Sequence, residues 1–117
     1  YDLPHGECNA ILLPHVCQYN LISSRRRFAR VARLLGERTD GLSSTDASQK
    51  AITAINILSK DVGIPEGLVA LGKKYGKDVR EEDIPIMTGN AQKDACTLTN
   101  PRIMTDEAVA AIYKAAL

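Results

Sequence analysis

The sequence predicts an all-α fold, a single compact multi-helix domain over residues 1–117. Apolar residues recur at three- and four-residue spacing in the stretches 25–35, 44–62 and 106–116, the signature of helices with one buried face. Those stretches open at Ser or Thr, and two of them close at Gly36 and Gly63, where helix caps and stops belong. No stretch alternates convincingly enough to be a strand, and no internal repeat is present. With 117 residues, 44% of them apolar, the chain has material for one modest core.

Taken in order, the apolar run Ala10–Leu13 predicts a buried helix behind His5. Ser23 and Ser24 then offer an N-cap for an amphipathic helix from Arg25 to Leu35, with Phe28, Val31, Ala32 and Leu35 on one side and Gly36 as its stop. Glu37–Leu42 reads as a polar connection. Ser43 with Asp46 three residues on resembles a capping box with a shortened acid, and it starts a helix from about Ser44 to Val62. Ala51, Ile52, Ile55, Leu58 and Val62 form a broad stripe on that helix, while Ile57 points elsewhere. Burial on more than one side follows, and this is the expected central helix. Gly63 is placed as its C′ residue, with Pro65 preventing resumption.

Glu66–Leu71 has room for a short helix, and Gly72–Arg80, with two glycines and three lysines, predicts a mobile surface loop. Glu81–Asp94 is expected to be helical, with Pro85 in its first turn and Glu81, Glu82 and Asp83 at the positive end of its dipole. Cys96–Arg102 is expected to be a non-helical crossing, because Pro101 pushes Asn100 out of the α region. Thr105 caps a last helix from Asp106 to about Ala116, which aligns Val109, Ile112, Tyr113 and Ala116.

Charge and aromatic content remove whole classes of function. Fifteen Lys and Arg against fourteen Asp and Glu leave +1, so no global field favours nucleic acid or an anionic membrane. With no Trp and one Phe there is little from which to build base-stacking platforms. The basic run Arg25–Arg27 continues through Arg30 and Arg33 and reads as a solvated helix face. Three cysteines, with no close CxxC pair, are expected to be reduced thiols of a cytoplasmic protein.

His5 is the strongest chemical candidate. Pro4 fixes the backbone ahead of it, Gly6 leaves room behind it, and the helix following holds the imidazole at a defined place, as a metal ligand requires. Cys8, one turn on, is read as a packed thiol, and His15, ten residues away on another face, as structural. Asp94 and Arg102 read as residues tying the 96–102 crossing to neighbouring helices.

The string Pro4-His5-Gly6, Asn9-Ala10-Ile11-Leu12-Leu13-Pro14-His15-Val16, Tyr19-Asn20 resembles the metal-binding signature of the iron-dependent, group III alcohol dehydrogenases. It is nearest to the branch of propanediol, methanol and lactaldehyde oxidoreductases. Asp61-Val62-Gly63-Ile64-Pro65, Glu82-Asp83-Ile84-Pro85, Lys93-Asp94-Ala95-Cys96, Asn100-Pro101-Arg102 and Ile112-Tyr113 continue the likeness in order, so that it covers nearly the whole chain. The resemblance implies the carboxy-terminal helical domain of such an enzyme, of dehydroquinate synthase-like fold, without its amino-terminal nucleotide-binding α/β domain. His5 corresponds to the last of four metal ligands, an aspartate and three histidines, and Cys96 to a residue beside the substrate pocket. The implied cofactors are Fe2+, with Zn2+ as the alternative, and NAD or NADP, for which no binding residue is assigned in this chain. The implied partners are a short alcohol or aldehyde, the missing amino-terminal domain and further copies in a homo-oligomer; nucleic acid and membrane are excluded.

On this resemblance the chain is expected to be a piece of a dehydrogenase that interconverts short alcohols or diols and aldehydes, inactive alone and exposing an apolar surface its missing domain would cover. Two alternatives stand beside it. One is the helical domain of a non-redox metal enzyme of the dehydroquinate synthase kind. The other is a stand-alone helical interaction module.

Overall fold

In the computed structural model, which describes all 117 residues, helix α1 runs from His5 to Leu34 and sets the length of the domain. Thirty residues at about 1.5 Å each give roughly 45 Å, which matches the longest dimension of a molecule measuring 45 × 31 × 19 Å. α2 (Ser44–Asp61), α3 (Leu68–Lys74), α4 (Ile84–Lys93) and α5 (Asp106–Ala115) follow, with 3-10 turns at Glu81–Asp83 and Ala95–Thr99. The fold is all-α, as expected, and no helix is long and apolar enough to cross a membrane.

The break predicted at Ser23 and Ser24 is present: Ser24 takes a non-helical φ of −138° and ψ of 28°, so α1 consists of two helical segments joined across a kink. Ends elsewhere fall where the sequence puts them. Ser43 Oγ accepts from the Asp46 amide at 3.0 Å, Thr105 Oγ1 accepts from the Ala108 amide at 3.2 Å, and Gly36 and Gly63 take positive φ.

α1, and not α2, is the central helix. It packs against α2, α3 and α5, whereas α2 buries only Ala47, Ser48, Ala51 and Ile52 from its first half. The buried residues of both partners include small ones, Ala29 and Ala32 on α1 and Ala47, Ser48 and Ala51 on α2, which suits close approach of the backbones. Farther along α2 one face is left uncovered, so Leu58 and Val62 are 54% and 65% exposed and Ile57 is exposed beside them. The expectation of burial on more than one side of α2 fails for that reason.

The second half of the chain closes around the amino-terminal end of α1. Ile11, Leu68, Leu71, Val79 and Ala116 form one buried cluster, with Leu3, Leu12 and Tyr113 packed on it. Here the predicted 72–80 surface loop needs correction: residues 72–74 belong to α3, with Gly72 buried, and Val79 is core. The chain turns back at Gly76, the Lys77 amide donates to Gly72 O at 2.8 Å, and the missing Cβ of Gly72 leaves the space that Lys77 O and Val79 occupy. The 95–99 part of the predicted non-helical crossing also winds into a 3-10 turn, because the Asp94 carboxylate accepts from the Cys96 amide. Asn100 is extended before Pro101, as predicted.

The ends of α3 and α5 satisfy one another. Leu68 N donates to Ala116 O at 2.8 Å and Val69 N to Leu117 O at 3.0 Å, joining amides at a helix start to carbonyls at a helix end. Gly67 makes this possible, since a Cβ there would lie 2.5 Å from Leu117 O. Gly67→Ala should therefore destabilise the fold by about 1–3 kcal/mol. Gly89→Ala, in open space within α4, should stabilise it by about 0.4–1 kcal/mol. Chemical denaturation of the two variants checks the pair; a neutral Gly67→Ala would contradict the packing described.

Candidate functional site

His5 is the first residue of α1, directly after Pro4, whose φ of −56° and ψ of 120° lead the chain into the helix. The Cys8 amide donates back to Pro4 O at 3.0 Å, closing the first turn around the imidazole. The ring is exposed. Its Nε2 lies 2.9 Å from the Asn9 side-chain amide nitrogen, a contact that must open before that ring nitrogen can coordinate a metal.

Two contacts that were not evident from the sequence hold this corner. Lys74 Nζ lies 2.5 Å from Glu7 Oε1 and joins the end of α3 to the first turn of α1; that ammonium holds the Glu7 carboxyl below the ordinary range. Tyr1 OH donates to Asp83 Oδ2 and accepts from the Arg80 amide, which anchors the segment leading into His5. Neither pairing has a local sequence signal, since the partners are 67 and 82 residues apart.

The other sulfur and imidazole groups near His5 point into different surroundings. Cys8 lines an apolar groove of about 290 Å3 with Leu3, Leu12, Met87 and Tyr113, and burial pushes its thiol pKa up. His15 faces a separate groove with Pro14, Asn56, Lys60 and Glu66, and burial pushes its pKa down. Nowhere does the chain gather three or more His, Cys, Asp and Glu side chains in a metal-holding arrangement. His5 therefore fits a divalent ion as a single ligand, and a complete site would require donors from outside these 117 residues.

Cys96 is exposed on the 3-10 turn after α4. Asp94 Oδ1 accepts from its amide at 2.8 Å, and the same carboxylate, beside the sulfur, pushes the thiol pKa up while its own falls. The following residues are tied to α1. Asn100 and Asn20 exchange amide hydrogen bonds of 2.8 and 2.7 Å, and Arg102 Nη1 donates to Tyr19 O at 3.0 Å. Arg102 thus ties the crossing to α1, as the sequence suggests, whereas the Asp94 carboxylate caps the local turn and reaches no neighbouring helix, and the roles of Tyr19 and Asn20 emerge only in the fold.

The family model described as Fe-containing alcohol dehydrogenase family, C-terminal, matches residues 1–117. The 1,3-propanediol dehydrogenase of Klebsiella pneumoniae is 48% identical over 116 residues, 99% of this chain and 28% of that protein. The NAD-dependent methanol dehydrogenase of Bacillus methanolicus is 45% identical over 117 residues, 100% of this chain and 29% of that protein. A crystal structure of 1,3-propanediol oxidoreductase matches with a TM-score of 0.93 at 48% identity, and an alcohol dehydrogenase from Oenococcus oeni with 0.89 at 45%. Each match covers all of this chain and 29% of the solved one, so the chain spans less than a third of the length of its relatives.

The Asp94 carboxylate makes a testable statement about Cys96. Only the thiolate is alkylated, and a neighbouring negative charge disfavours it. Asp94→Asn should therefore shift the pH midpoint for iodoacetamide labelling of Cys96 downward, giving faster labelling at pH 8. A midpoint that stays in place or rises would show that the carboxylate does not control the thiol.

Proposed function

The chain belongs to the Fe-containing alcohol dehydrogenase family, as its carboxy-terminal helical domain, and from that premise we propose that it is the helical half of a metal-dependent, NAD(P)-linked dehydrogenase. The reaction proposed is interconversion of short alcohols or diols and aldehydes by hydride transfer. The observation carrying this reading is the likeness to dehydrogenases over the whole of this chain, combined with an exposed imidazole at the one position the resemblance assigns to the metal. Identities of 40–48% to enzymes named for propanediol, methanol and lactaldehyde favour redox chemistry over the non-redox alternative.

His5 would hold one coordination position of Fe2+, or of Zn2+, and the remaining ligands, an aspartate and two histidines, would come from upstream sequence. Once bound, the ion supplies Lewis-acid polarisation of the alcohol oxygen, and NAD or NADP supplies the hydride acceptor. Pro4, the Cys8 to Pro4 hydrogen bond and the anchored Tyr1 hold the imidazole in one place, which limits the reorganisation needed on ligation. Cys96 contributes to the substrate wall. The parent enzyme is proposed to be cytoplasmic, in keeping with three unpaired thiols, and to assemble as a homo-oligomer.

The test uses the protein with its upstream domain. His5→Ala should lose bound metal, measured by elemental analysis after dialysis, and alcohol-dependent nicotinamide reduction should fall by more than about a hundredfold. Retention of both by the variant would refute the assignment of His5. The isolated chain, which supplies only one of the proposed ligands, should hold neither ion nor activity.

A further inference from the structure

The segment Asp94–Met104 is held in an unusual way. None of residues 95–99 is buried, and Leu98 and Ile103 are 87% and 85% exposed, so no apolar packing fixes its conformation. Polar contacts do so instead. Asn20, only 6% exposed on α1, exchanges two hydrogen bonds with Asn100, and Asn100 Nδ2 also donates to Arg102 O at 2.5 Å. The Arg102 guanidinium lies 4.0 Å over the Tyr19 ring while donating to Tyr19 O, and Tyr19 OH donates to Ile103 O at 2.5 Å. Two adjacent residues of α1 thereby grip the chain on both sides of Pro101. At the far end Gln92 Nε2 donates to Met104 O at 2.8 Å.

The position of the grip along α1 gives it a functional meaning. His5 and Asn20 stand on the same segment of α1, and the kink at Ser24 lies beyond both. Fifteen residues of helix form a spacer of roughly 22 Å, within which Pro14 has no N–H to give to Ala10 O. We infer that Tyr19, Asn20, Asn100 and Arg102 are positioning residues that lock the Cys96 segment to the helix carrying His5, and so set the size of alcohol the enzyme accepts. This rests on the dehydrogenase reading above, in which Cys96 belongs to the substrate wall. A wall fixed by hydrogen bonds and one stacked guanidinium can be loosened without opening the core of Ile11, Leu68, Leu71, Val79 and Ala116, because none of the four residues belongs to it.

The full-length enzyme carrying Asn20→Ala, and separately Arg102→Lys, tests the lock. The lysine keeps the charge and loses the planar stack and fixed fork, and it keeps the test open if Asn20→Ala does not fold. Amides of residues 95–104 should exchange with deuterium at least about tenfold faster in Asn20→Ala, with a smaller effect in Arg102→Lys. The ratio of kcat/KM for 1-propanol to that for 1-hexanol should fall by roughly tenfold or more, while metal content, KM for nicotinamide and Tm stay near wild type. Unchanged exchange and an unchanged ratio would overturn the inference. So would a specificity change accompanied by metal loss or a large fall in Tm, since the cluster would then be a structural element of the core. The exchange measurement does not depend on the chemistry, so a failure of His5→Ala to lose metal would sink the dehydrogenase reading separately from the lock.

Discussion

The burial requirement of a single long helix governs this domain. α1 spans the full 45 Å of the molecule, and α2, α3 and α5 each lie against part of it. α2 can come close because the seam is made of Ala29, Ala32, Ala47, Ser48 and Ala51, side chains too small to hold two backbones apart. Around the other end, Ile11 is the only buried residue of α1 in the main apolar cluster, and α3, Val79 and the end of α5 supply the rest. The corner that presents His5 is therefore stabilised by contacts from residues more than sixty positions away. A site at a helix start becomes rigid when the helix behind it is committed to a core.

What could be read from the sequence was local. Ser43 with Asp46, Thr105 with Ala108, and positive-φ glycines at 36 and 63 are interactions spanning a few residues, and the fold contains all of them. The same locality explains the errors. The stripe Ile55, Leu58, Val62 has helical period, but period reports amphipathicity and says nothing of how far a neighbouring helix extends. Gly72 and Val79 sit in a lysine-rich stretch that looks solvated, and their burial follows from a chain reversal at Gly76 that composition does not encode.

The site shows the same division. His5 was legible as a rigidly placed imidazole, while its assignment to a metal came from a colinear likeness over the whole chain. Ligands contributed by distant segments leave no spacing pattern within 117 residues, and the fold gathers no group of three or more His, Cys, Asp and Glu side chains that could hold a metal. Asn9, Glu7 and Tyr1 support the corner through one-to-one contacts. Of these only Asn9, four residues on and one helical turn away, lies within the reach of a sequence rule.

Two kinds of cohesion thus coexist, and they suit different tasks. Apolar burial around Leu71 is non-directional and tolerates small displacements, which suffices to keep α1, α3 and α5 together. Hydrogen bonds are directional and weaken steeply when bent, so a segment held by Asn20, Asn100, Arg102 and Tyr19 has its orientation specified more narrowly than packing alone would require. The exposed apolar side chains Leu98 and Ile103 on that segment would be a poor choice for stability. They make sense where a surface must be presented at a set angle to something else. The polar grip aims that surface, and the apolar core gives the grip a fixed frame.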